Sequence, residues 1–169
     1  SVSLSSDGTI VAIGADHNDG NGTDSGHVRV YEYNGSSWIQ LGSDIDGEAA
    51  GDRSGNSVSL SSDGTIVAIG ATNNDANGTD SGHIRIYKID KATNLNVDGN
   101  LVVNGNLKVT SNQSVWAQLG ADIDGEAAGD ESGISVSLSS DGTIVAIGAD
   151  ANDGNGSNSG HVRVYKYSG

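Results

Sequence analysis

The segment SVSLSSDGTIVAIGA begins at Ser1, Ser57 and Ser135, and each copy runs on to SGHVRVY or SGHIRIY. A unit repeated this closely cannot bury its apolar side alone and has to stack on its neighbours. The copies are unequally spaced, because residues 91–113 interrupt the second one. One unit has been multiplied, and one copy carries an insertion.

Each unit reads as four short strands. Val2 and Leu4 alternate with Ser1, Ser3 and Ser5, the period of a half-buried strand. Asp7-Gly8 then marks a hairpin, since glycine accepts the positive φ that such a turn requires. The unbroken run Ile10-Val11-Ala12-Ile13 predicts a second strand covered on both faces. After a polar loop HVRVYEY alternates again, with Val28 and Val30 on one side and His27, Arg29 and Tyr31 on the other. WIQLG is the fourth strand, and the polar loop DIDGEAAGDRSG leads to the next copy. Hydrophobic residues make up only 34%, so the core must come from Val, Ile, Leu and Ala, with Trp38 and Trp116 as its large pieces. With no sustained 3.6-residue period and frequent Gly-Asn-Asp-Ser clusters, the fold class is all-β. The absence of Cys excludes disulfides and thiolate metal sites. The absence of Met marks a processed product or an excerpt.

Four antiparallel strands at a fixed period predict a β-propeller blade. Solenoid repeats, at about 20–30 residues, are shorter than this unit. The motif SxDGTIVAIGA…GHVRVY resembles the core of WD-type propellers. The layout SVSLS…VAIGA…GHVRVYEY resembles FG-GAP repeats of the integrin-α type more closely. That resemblance implies a propeller with SVSLS innermost and WIQLG outermost. Blade one then spans residues 1–56, blade two 57–134 with the insertion at 91–113, and blade three 135–169 without its outer strand. Such a set leaves unpaired edges, so it is expected to belong to a longer chain or to an oligomer that closes the ring. In the insertion, Asp98-Gly99 and Asn104-Gly105 predict turns of a projecting β-hairpin. Its rhythm resembles β-structured segments of phage tail fibres.

Formal charge is −14, from 22 acids against 8 bases. Such a surface repels nucleic acid and anionic membranes and favours cations or a basic partner. No apolar stretch is long enough for membrane insertion as a helix. In a propeller the acids gather at one end. The loop between second and third strands holds Asp16, Asn18, Asp19 and Asp24, then Asp75 and Asp80, then Asp150 and Asp153. These supply the carboxylate and amide oxygens a Ca²⁺ ion needs, and they are equally the residues that close turns on their own backbone. The loop after the outer strand holds Asp44, Asp46, Glu48 and Asp52, then Asp122, Asp124, Glu126 and Asp130, a candidate acidic ligand-binding face. The calcium loop of the FG-GAP family, a DxDxDG-like stretch, falls between inner and second strands. Here that link is only Ser5-Ser6-Asp7-Gly8.

Asp44 and Asp46 lie on one side of a strand, as a hydrolase pair would, yet their repetition fits solvated turns better than a single active site. His27, His83 and His161 recur two residues before Arg29, Arg85 and Arg163, a spacing suited to pairing with acids on an adjacent strand. Five Asn-X-Ser/Thr triplets, including Asn21 and Asn77, match the glycosylation pattern and equally mark turns. No catalytic constellation emerges, and the chain is expected not to be an enzyme. The resemblance implies an extracellular adhesion module that presents propeller loops to a protein or glycan at a cell surface. The alternatives are a lectin-like propeller, with or without Ca²⁺ in its sugar site, and a receptor-binding part of a tail fibre at a virion surface.

Overall fold

A computed structural model describes residues 1–91 and 114–168. Apart from Lys91, the hairpin expected at 91–113 lies outside the described residues. Thirteen strands and no helix occur among those described, so the all-β expectation holds.

The first sheet contains β1 (Val2–Leu4), β2 (Ile10–Ala15), β3 (His27–Tyr33), β4 (Trp38–Gln40) and β5 (Ile45–Asp46). The second repeats it with β6 (Ser54–Leu60), β7 (Ile66–Ala71), β8 (His83–Asp90), β9 (Val115–Gln118) and β10 (Ile123–Asp124). The third has β11 (Ser135–Leu138), β12 (Ile144–Ala149) and β13 (His161–Lys166). All pairs within the sheets are antiparallel, and inner, second and third strands follow in chain order. Each SSDG link folds as predicted. Asp7 Oδ1 accepts bonds from Ser5 Oγ at 2.7 Å, Thr9 N at 3.0 Å and Thr9 Oγ1 at 2.8 Å.

The outer strand differs from its expected form. It comes in two pieces, β4 and β5, and both pair with β3. Between them Leu41 N still donates to Val30 O at 2.8 Å, and the chain then bulges through Gly42 at φ +71°. Ile45 and Asp46, at the head of the expected polar loop, are therefore strand residues. Likewise β6 starts at Ser54, ahead of the repeat, through a register shift between Ser54 and Ser57.

Consecutive sheets pack face to face. Val58, Leu60, Val67, Ile69 and Ile89 of the second sheet meet Ile10, Ala12, Val28, Val30 and Ile45 of the first in one buried cluster. Ala68 and Ile84, on the opposite face of the second sheet, meet Val145 and Ile147 of the third. Serines knit the inner strands. Ser1 and Ser3 Oγ accept the amides of Val58 and Leu60 at 2.9 and 3.0 Å, and Ser59 Oγ accepts that of Leu138 at 2.9 Å. The serine side of the alternation thus faces the next sheet. The backbones approach so closely that a Cβ on Gly14 would overlap the Gly55 carbonyl. Trp116 sends its indole N–H to Leu41 O of the first sheet at 2.9 Å. Trp38, its counterpart, stands exposed against Tyr33 on a face that no sheet covers among the described residues, rather than in the core as expected from sequence.

Candidate functional site: an acidic end built from two loop classes

The loops leaving β2, β7 and β12 share one conformation. Asn18 Oδ1 accepts Gly20 N at 2.8 Å, and Asp19 Oδ1 accepts Asp24 N at 2.9 Å. Asn74, Asp75 and Asp80 repeat this, with Asp75 accepting Asp80 N at 2.9 Å, and Asp153 accepts Asn158 N at 2.7 Å. Asp24 and Asp80 sit at φ +51° and Asn158 at +50°, the left-handed conformation that Asp and Asn tolerate best outside glycine. Asp80 also accepts Asn73 Nδ2 at 2.8 Å, Asp16 lies 3.2 Å from His17, and Asp150 is an exposed turn residue. The carboxylates offered for Ca²⁺ are thus spread along each loop, several of them bonded to their own backbone.

The second loop class is tied to the first. Asn21 Nδ2 donates to Gly47 O at 2.8 Å and Glu48 O at 3.1 Å, and Asn77 Nδ2 makes the same pair of bonds to Gly125 O and Glu126 O. The atom a glycan would occupy on Asn21 and Asn77 is therefore engaged. Asp52 and Asp130 are buried. Asp52 Oδ2 accepts Ala49 N at 2.9 Å and Asn74 Nδ2 of the next sheet at 3.2 Å. Asp130 Oδ2 accepts Ala127 N at 3.0 Å and Asn152 Nδ2 at 2.9 Å. These two acids fasten sheets together, whereas Asp46, Glu48, Asp124 and Glu126 remain exposed at the same end.

Each His-x-Arg pair lies beneath this rim. In the first sheet Asp44 takes Arg29 Nη2 at 2.7 Å and Gln40 Nε2 at 2.7 Å, with His27 Nδ1 at 3.6 Å. The bonds from Arg29 hold the Asp44 carboxyl below its ordinary range. In the second sheet the acids come from two sheets. Fully buried His83 has Nδ1 3.8 Å from Glu48 and 3.8 Å from Asp122, and Arg85 Nη1 stands 3.8 Å from Glu48. Arg85 also donates to Asp46 O at 2.7 Å. In the third sheet Glu126 approaches His161 at 3.4 Å and Arg163 at 3.9 Å, and Arg163 donates to Asp124 O at 2.8 Å.

Two sets, His27 with Asp44 and Asp46, and Glu48 with His83 and Asp122, bring their ligand atoms within 4.8 Å of one another. In both, a guanidinium already lies near one of the carboxylates, Arg29 at 2.7 Å from Asp44 and Arg85 at 3.8 Å from Glu48. Their chemistry is that of ion-paired latches. Sequence reasoning missed that Glu48 and Glu126 reach across sheets. The available signal was a Glu following each complete outer strand, one repeat ahead of a His-x-Arg pair that lies beside it only after stacking.

The FG-GAP repeat model matches residues 45–87 and 119–165, more than half of the chain. The chain belongs to the FG-GAP repeat family. Each matched span runs from the later part of one outer strand through the third strand of the following sheet, so the family unit contains the crossing loop with its acids. No curated protein matches the chain. FG-GAP repeats are found in adhesion-type β-propeller modules and typically in extracellular proteins. No helix among the described residues is long and apolar enough to cross a membrane.

Proposed function

We propose that this FG-GAP chain is a run of β-propeller blades acting as a non-enzymatic interaction module at an outer cell surface. Its acidic rim engages a cationic protein surface. The reading is carried by the cross-tie of the two loop classes through Asn21 and Asn77, which sets Glu48, Asp46, Glu126 and Asp124 at one end on a rigid support. Rigid presentation lowers the ordering cost of binding, and clustered charge of one sign accelerates encounter with the opposite sign. The His-x-Arg pairs beneath lie against carboxylates of their own and the preceding sheet, which ties that end of the stack together.

The test is adhesion of cells to surfaces coated with the chain, compared with a variant carrying Asp46→Asn, Glu48→Gln, Asp124→Asn and Glu126→Gln. Attachment that is salt-sensitive and lost in the variant supports the reading. Attachment unchanged by the four substitutions overturns it. A glycan array run with and without EDTA separates the lectin alternative, which alone expects chelator-sensitive sugar binding.

A further inference from the structure

The latches of the first and second sheets are not closed in the same way. In the first, Arg29 caps Asp44. Its Nε lies 2.9 Å from each carboxylate oxygen and its Nη2 2.7 Å from Oδ2, and Gln40 Nε2 donates to Oδ1 at 2.7 Å. In the second, the arginine has turned away from the corresponding acid, Asp122. Arg85 Nη2 donates instead to Asp46 O at 2.7 Å, and its guanidinium lies over the Tyr87 ring, 5.7 Å from the centroid. Gln118 Nε2 still holds Asp122 Oδ1 at 2.6 Å, and Oδ2 is turned to His83. From the first sheet Glu48 presents Oε2 to the same ring, while its Oε1 faces Arg85.

His83 is fully buried, and its Nδ1 has no hydrogen-bond partner. A buried polar atom left in this state is costly and calls for an occupant. The separations of 3.8 Å from Glu48 and from Asp122 are beyond hydrogen-bond reach. They are instead the spacing of donors that share one ion. Two donors about 2.1 Å from a metal and about 110–130° apart lie about 3.4–3.8 Å from each other. All three donor atoms fall within 4.8 Å of one another, and the half-exposed Glu48 side chain is free to close the remainder. The charge is also right for a divalent ion. Three carboxylates, Glu48, Asp122 and Asp52, act on the ring against the one guanidinium of Arg85, which leaves two negative charges.

We propose that Glu48, His83 and Asp122 bind one divalent transition cation of the Zn²⁺ kind, which fastens the first sheet to the second. One imidazole with two carboxylates suits such an ion, whereas Ca²⁺ takes six to eight oxygens. Nδ1 is the ligand, Nε2 carries the ring proton, and water completes the shell from the exposed side of Glu48. Gln118 orients Asp122 through the oxygen that does not face the ion, as outer partners of metal ligands do. The set of His27, Asp44 and Asp46 does not qualify, because Arg29 and Gln40 already hold the Asp44 oxygens. The site rests on the sheet interface and not on adhesion, so a failed adhesion assay leaves it standing.

The experiment is calorimetric titration of the whole chain, stripped with EDTA and dialysed, with ZnCl₂ at pH 7. Thermal midpoints are read in parallel against MgCl₂ of equal ionic strength. The expected result is one Zn²⁺ per chain and a midpoint raised by zinc well beyond the magnesium control. Gln118→Ala should weaken binding about 10–100-fold, the usual cost of an outer partner, and Asp122→Asn or Glu48→Gln should weaken it further. Asp44→Asn should leave it unchanged. Absence of zinc binding overturns the proposal, and so does an affinity that Asp122→Asn and Glu48→Gln leave intact, which would place the ion elsewhere on the surface. Ring ¹⁵N spectra of the wild-type chain read the buried ligand without mutating it. Zinc should move the His83 Nδ1 resonance and leave that of His27 in place, and an unmoved His83 signal overturns the site.

Discussion

Both ring nitrogens of His83 lack a hydrogen-bond partner, although two carboxylates lie close by. Burial pushes its pKa down and Arg85 pushes it further, against the opposing pull of Asp122, Glu48 and Asp52. The folded protein therefore keeps this histidine neutral in conditions where the unfolded chain takes up a proton. A group depressed in this way leaves stability intact above its unfolded value, near pH 6.5, and erodes it as pH falls below that value. Thermal midpoints measured between about pH 7 and pH 5 should fall for the wild-type chain, and His83→Gln should remove a large part of that slope. A slope unchanged in the variant would place the titration elsewhere. The turn aspartates act in a lower window. The amide of Thr9 with the hydroxyls of Ser5 and Thr9 holds Asp7 at about 2, and Ser139 with Thr143 does the same for Asp141. Asp63 is also lowered, since bonds from Ser61 and Thr65 together outweigh burial, which pushes it up. The contribution of Asp7 and Asp141 is complete above about pH 4 and is lost as pH falls toward 2. In the loops, one oxygen of each of Asp19, Asp75 and Asp153 is already engaged by a backbone amide. Calcium chloride should thus raise the melting temperature no more than sodium chloride of equal ionic strength. A distinctly larger rise with calcium would reveal a cation site.

At the scale of strands and sheets, identical sequence carries unequal energetic weight. Leu4 and Leu60 occupy the same place in SVSLS, yet only Leu60 is covered by a neighbouring sheet. Urea denaturation should show Leu60→Ala losing about 2–5 kcal/mol, as cavity-forming substitutions do, whereas Leu4→Ala should change stability by only about 0.5 kcal/mol. Equal losses would mean that the two leucines share one environment, contrary to the stacking described. Gly70→Ala should also destabilise, by about 1–3 kcal/mol, because its new Cβ would overlap the Gly133 carbonyl of the next sheet. The strands were legible from the sequence because alternation and Asp-Gly turns are local signals. Register between β2 and β3 follows from the same alternation, with Ala12 opposite Val30. The divided outer strand was not legible, since nothing in WIQLGSDIDG marks where pairing with β3 breaks and resumes. Nor was the exposure of Trp38, which depends on whether another sheet precedes it rather than on its own residues. The acidic end was legible as a cluster of charge. Its division into buried fasteners, Asp52 and Asp130, and exposed rim acids was not, because that depends on the Asn74 and Asn152 side chains of the following sheet.

For the molecule as a whole, the proposed function depends on successive repeats stacking in one sense. That arrangement brings equivalent loops to one end and delivers Glu48 and Glu126 to the next sheet's His-x-Arg pair. It also gives the serines of the inner strand their role. The amides of Val58, Leu60 and Leu138 are directed off their sheets onto hydroxyls of the preceding inner strand. In an isolated sheet those amides would face water. Hydrogen exchange read at single amides therefore probes the stacking itself. Val58, Leu60 and Leu138 should be protected, and Ser3→Ala should speed exchange at Leu60 while leaving Leu138 slow. Exchange at Leu60 and Leu138 as fast as in an unfolded chain, in a protein whose β2–β3 and β7–β8 ladders stay protected, would contradict the account.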